Sequence, residues 1–195
     1  MTLPEPITVT LLVVDALEAL GVRYFIGGSL ASAVQGVARA TLDADVIADL
    51  RAEHIEPLTH SLGEQFYFDV DTIRNAVARR STFNLIHLRT MFKVDVFVSK
   101  GRPFDRAQLE RRVLQILVAD PQPSLYLASP EDTILAKLDW YRQGGEISDR
   151  QWRDVIGVLA AQHGRLDESY LRDWADQLGL RDLLRRAMDE AEASV

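Results

Sequence analysis

Three aspartates carry the chemistry this sequence most directly suggests. Asp43 and Asp45 flank Ala44 in the run Leu42-Asp43-Ala44-Asp45-Val46, and Asp95 stands between Val94 and Val96 in a second alternating run. Successive strand side chains take opposite faces, so Asp43 and Asp45 point the same way, roughly 7 Å apart along the backbone. Two carboxylates held side by side repel unless a cation lies between them. Hard divalent ions such as Mg2+ or Mn2+ take oxygen ligands of this kind and commonly bridge to substrate phosphates. In the later run Phe92, Val94, Val96 and Val98 share one face, the expected core side, and Lys93, Asp95 and Phe97 the other. Taken singly, the pair is equally two ordinary acids on a solvent-facing edge, and Asp95 equally a surface acid or a partner for Lys93.

A third feature lies upstream. Gly27-Gly28-Ser29 follows a short apolar run and ends 14 residues before Asp43. Glycines let backbone amides approach a ligand closely, a helix start offers free N–H groups to phosphate, and the serine hydroxyl adds a donor. The bland alternative is a tight turn. Taken together, a phosphate-cradling turn, a paired-acid strand and a later single-acid strand supply a nucleotide seat and three ligands for one or two metal ions. That requires residues 43, 45 and 95 to converge beside the turn at 27–29.

These residues need elements to position them. Apolar spacing predicts a helix over 8–20, ended by Gly21, and a strand over 22–26. After the Gly-Gly-Ser turn comes a small-residue helix ending near Gly36. A strand over 42–48 and helices over 51–62 and 71–80 follow. Residues 81–90 and 91–99 read as a hairpin, with further strands over 111–119 and 124–128. Ser129-Pro130-Glu131-Asp132 is a helix start, with serine as cap, proline in the first turn and acids at the positive end. That helix runs to Arg142, Gly144-Gly145 breaks it, and the chain from Gln151 onward reads as helical. The predicted organisation is an α/β body over 1–128 and a helical segment over 129–195, with Trp140, Trp152 and Trp174 in the core.

Composition narrows the function classes. The 195 residues are 47% hydrophobic with a net charge of −7, an ordinary globular balance and a poor one for non-specific nucleic-acid binding. There is no cysteine, which excludes disulfides, thiolate metal sites and cysteine nucleophiles. His54, His60, His87 and His163 lack metal-ligand spacing. The first residues lack a basic signal-peptide start, and no stretch approaches the roughly 18 apolar residues of a membrane span. The expectation is a cytoplasmic protein with no membrane contact.

Gly27-Gly28-Ser29, the run Arg39-Ala40-Thr41-Leu42-Asp43-Ala44-Asp45-Val46, and Val94-Asp95-Val96 together resemble the nucleotidyltransferase superfamily that includes the polymerase-beta-like enzymes. Ser129-Pro130-Glu131-Asp132 with Lys137, followed by Arg153-Asp154-Val155, resembles the lysine-helix and Arg-Asp-helix motifs of the AbiEii-like nucleotidyltransferases, which include toxins of type IV toxin–antitoxin pairs. The chain is shorter than typical toxins of that group. The resemblance implies an α/β (α+β) fold, a mixed β-sheet flanked by helices, with a helical C-terminal segment completing the cleft. It implies Asp43, Asp45 and Asp95 as ligands of Mg2+ or Mn2+, and catalytic roles for these three and Lys137. It further implies Gly27, Gly28, Ser29, Arg39, Thr41 and Asp154 as nucleotide-binding residues. By its own pattern, Lys137 borders an apolar stripe, and there it either snorkels or reaches into a cleft. Asp154 falls opposite Trp152, Ile156 and Leu159 on a helical wheel and reads as a solvated acid or a partner of Arg150 or Arg153. The function implied is transfer of a nucleotidyl group from a nucleoside triphosphate to an acceptor hydroxyl with release of pyrophosphate. The acceptor is an RNA end, a protein or a small molecule. The alternative is a non-catalytic member of the fold that binds a nucleotide or a partner such as an antitoxin.

Overall fold

The computed structural model describes residues 3–37, 41–118 and 122–193. They fall into two compact units, one built from Met1–Gly27 and Ala40–Leu127, the other from Gly28–Arg39 and Ala128–Val195.

The first unit holds every described strand. Its elements are α1 (Glu5–Ala19), β1 (Tyr24–Ile26), β2 (Asp43–Ala48), α3 (Ala52–Leu62), a 3-10 turn (Gly63–Gln65), β3 (Phe66–Tyr67), α4 (Val70–Arg79), β4 (Thr82–His87), β5 (Lys93–Val98), α5 (Pro103–Arg111), β6 (Val113–Ile116) and β7 (Ser124–Leu127). We number the helix at Gly28–Val34 α2. The strands form one mixed seven-stranded sheet in the order β3-β4-β5-β2-β1-β7-β6. β2 runs parallel to β5, and β4 and β5 form the antiparallel hairpin expected from sequence. Alternation explains β2 and β5: Ala44, Val46 and Ala48 are buried, as are Val94, Val96 and Val98, while the residues between them are half-buried. Helix α1 packs on α3 and β2, and α4 on α3 and β4.

The second unit contains α2, α6 (Pro130–Gln143), α7 (Asp149–Ala161), α8 (Glu168–Leu178) and α9 (Arg181–Glu192). Side-chain caps start three of them, from Ser129 to the Asp132 amide, Ser148 to the Gln151 amide and Asp167 to the Tyr170 amide. Helix α2 packs on α6 and α7, and so groups with the C-terminal helices although it lies between two strands in sequence. Gln35 Nε2 donates to the Ala128 carbonyl at 2.8 Å, and Gln162 Nε2 donates to the Gln35 carbonyl at 2.9 Å.

The turn after α2 depends on a glycine. Gly36 has φ +128°, and a Cβ there would lie 2.3 Å from the Cβ of Ala161. Both the backbone conformation and the space oppose any side chain. Gly36→Ala is therefore expected to destabilise by about 2–3 kcal/mol, read as an earlier urea midpoint at unchanged slope. An unchanged midpoint would show that the contact yields.

Two sequence expectations change here. None of the three tryptophans joins the buried core: Trp152 and Trp174 are half-buried and Trp140 is 55% exposed, because α6 turns other residues, Ile134, Leu135, Leu138 and Tyr141, into its buried face. Helix α5 was not anticipated, nor was the two-residue strand β3. No helix among the described residues is long and apolar enough to cross a membrane.

Candidate active site

The acids gather on one face of the sheet in the first unit. In the parallel register of β2 and β5, Asp45 lies opposite Asp95 and Asp43 opposite Lys93, and on β4 Asn84 lies opposite Asp95. Paired residues share a face, so Asp43, Asp45, Lys93, Asp95 and Asn84 all project from the same side. The Lys93 ammonium donates to Asp95 Oδ2 at 2.6 Å and lies 4.0 Å from Asp43 Oδ2. Asn84 Nδ2 donates to the other Asp95 oxygen. Asp95 is more enclosed than Asp43 or Lys93, its side chain 13% exposed against 37% and 41%. The hydrogen bond to Asp95 raises the Lys93 pKa above its ordinary value, against the opposing pull of burial, and the charges of Asp95, Asp43 and Asp45 raise it further.

Thr41 fixes the start of β2. Its hydroxyl donates to the Asp43 carbonyl at 2.8 Å and reaches the Asp43 carboxylate at 3.3 Å. Gly27 closes the other side of the strand: its amide donates to the Asp45 carbonyl at 2.9 Å. A Cβ on Gly27 would lie 3.0 Å from Ile47 Cδ1, a side-chain end that would have to give by a few tenths of an ångström. That amide is used by the sheet and is not a free phosphate donor.

In the second unit the chain turns at Gly28, whose φ of +56° lies in the left-handed region that favours glycine. Ser29 is buried and accepts a hydrogen bond from Arg150 Nη2 at 3.2 Å. Lys137 on α6 and Asp154 on α7 form an ion pair at 2.8 Å with side chains 10% and 4% exposed. Asp154 is thus neither solvated nor held by Arg150 or Arg153 alone. It faces inward because α7 packs against both α6 and α9 and so buries more than one stripe. Arg150 and Asp154 are one helical turn apart on α7, so the buried pair also fixes the helix face that presents Arg150 to Ser29. Sequence reasoning named Arg150 only as a partner for Asp154. Arg39 lies outside the described residues.

Asp43, Asp45 and Asp95 offer hard carboxylate oxygens suited to Mg2+ or Mn2+. Among the described residues, no three His, Cys, Asp or Glu side chains are grouped so as to hold a metal ion as they stand. The positive charge between Asp95 and Asp43 is supplied by Lys93. The acids fit a divalent cation in chemistry and in shared face, with an ammonium in the place where such a charge would go.

No protein-family profile matches the chain, and no curated protein does. Solved structures do match. The solution structure of the antibiotic-resistance factor ANT(2'')-Ia superposes with a TM-score of 0.52 at 13% identity, covering 96% of this chain and 95% of that one. A nucleotidyltransferase-like protein from Paracoccidioides brasiliensis gives 0.51 at 20% identity, over 92% and 91%. The fold is of the nucleotidyltransferase type. A crystal structure of ANT(2'')-Ia in complex with adenylyl-2''-tobramycin gives 0.51 at 13% identity, over 92% of this chain and 97% of that chain. At such identities the nucleotidyltransferase likeness is one of architecture.

Proposed function

We propose that this protein is a metal-dependent nucleotidyltransferase that moves a nucleoside monophosphate from a triphosphate to an acceptor hydroxyl and releases pyrophosphate. The observation that carries this reading is the register that sets Asp45 opposite Asp95, with Asp43 on the same face. Such a cluster of acids is costly for an ordinary sheet face and useful for a divalent ion. The nucleotidyltransferase-type fold supports it.

Asp43, Asp45 and Asp95 would hold the ion. When bound, it would neutralise the charge that builds on the phosphate oxygens and orient the triphosphate. Thr41 keeps the Asp43 carboxylate in place through its two contacts. Asp95, enclosed and oriented by Asn84, would help to hold the metal or would take the proton of the attacking hydroxyl. Within the second unit, Ser29 and the exposed Arg150 present a hydroxyl and a fork of N–H donors of the kind that binds phosphate oxygens. The Lys137–Asp154 pair braces α6 on α7 behind Arg150.

The structural neighbour bound to adenylyl-2''-tobramycin makes a small-molecule hydroxyl one acceptor class to test, beside an RNA end and a protein side chain. Incubating the protein with each of four labelled triphosphates, Mg2+ and a total cell extract should place label in one of these fractions and release pyrophosphate. Binding of a triphosphate without Mg2+ dependence and without pyrophosphate would instead mark a nucleotide-binding member of the fold.

A further inference from the structure

Lys93 is a charged residue of the acid face that the proposed chemistry does not use. It stands opposite Asp43 in the β2–β5 register. Its ammonium touches Asp95 and lies within ion-pair range of Asp43. The carboxylates therefore already face a cation, carried by the chain itself. We propose that Lys93 is a built-in counter-cation that competes with the divalent ion for the face formed by Asp43, Asp45 and Asp95, so that the ion is admitted together with the nucleotide and not alone.

This rests on the metal-dependent reading above. An ion coordinated by Asp95 and Asp43 would lie within a few ångströms of the ammonium, where like charges oppose each other strongly. Lysine is suited to yielding: its charge rides on a flexible four-carbon stem, and here the side chain is 41% exposed, so it can swing aside without unpacking the sheet. A triphosphate resolves the conflict because it brings enough negative charge to pair with both the ion and the displaced ammonium. Without nucleotide, the ammonium offsets one of the three carboxylate charges.

The test is Mn2+ binding, followed by loss of the free-ion electron paramagnetic resonance signal, for the parent, Lys93→Met and Lys93→Arg. Each is measured with and without a non-hydrolysable ATP analogue. A neighbouring charge at this range changes a carboxylate's proton affinity by about one to three powers of ten. Lys93→Met should accordingly bind Mn2+ alone at least about tenfold more tightly than the parent. Lys93→Arg should stay near the parent, and the analogue should narrow the gap between parent and Lys93→Met. A merely structural loss would weaken binding, not tighten it. If the parent binds Mn2+ with the analogue and Lys93→Met binds the bare ion no more tightly, the competition is refuted while the metal reading stands. If no protein binds Mn2+ even with the analogue, the metal reading falls and the competition with it.

Discussion

Asp45→Asn is expected to lower label transfer from a nucleoside triphosphate about a thousandfold while leaving the protein at least as stable as the parent. The loss corresponds to about 4 kcal/mol of barrier, the scale on which removing one element of a preorganised charge-stabilising site acts. The stability half of the expectation follows from the register. Asp45 faces Asp95 directly across two parallel strands, and like charges so placed destabilise a sheet. Asparagine keeps the shape and removes the repulsion, while Asp95 retains Lys93 and Asn84. Asp43→Asn and Asp95→Asn should give losses of similar size. Asp95→Asn differs in stability, because it deprives the Lys93 ammonium of its nearest partner. Transfer and thermal melting measured on the same preparations decide the matter. A folded Asp43→Asn/Asp45→Asn protein that transfers label at the parent rate would remove the proposed function.

The second large effect concerns stability. Lys137→Met should cost about 3–5 kcal/mol, because it leaves the Asp154 carboxylate inside the second unit without its ammonium. Replacing both, as Lys137→Met/Asp154→Leu, should recover most of that loss, since apolar side chains of similar volume avoid the desolvation penalty of both charges. Urea denaturation of the parent, the two single variants and the double variant gives the coupling directly. Equal destabilisation in the single and double variants would show that the pair's environment, not its charge, holds α6 to α7.

Much of this arrangement was legible in the sequence because it rests on local rules. The period-two alternation of 43–48 and 92–98 identified both acid strands and the face each aspartate takes. The cap at Ser129 marked the start of α6 to the residue. What escaped has physical reasons. Helix α5 is short and mostly polar, so no apolar stripe announces it; the available signal was Pro103 at its first turn with Asp105 receiving the Arg102 amide. The inward turn of Asp154 was hidden because a helical wheel assumes one buried face, and α7 has neighbours on more than one side. Lys93 was visible as a neighbour of Asp95. Its proximity to Asp43 depends on a parallel register between strands 50 residues apart, which no local pattern specifies.

The membership of α2 in the helical unit bears on how the molecule comes into being. As the chain leaves the ribosome, residues 28–34 emerge early, yet the Ala128 carbonyl that receives Gln35 arrives 93 residues later and Gln162 arrives 127 residues later. Until then the apolar side of α2, with Leu30 and Ala31, has no cover within its own unit. Closing so long a loop is an entropic cost met only near the end of synthesis. A nascent chain halted after β7 would carry every described strand of the sheet and still lack the helices α6 and α7 on which α2 packs.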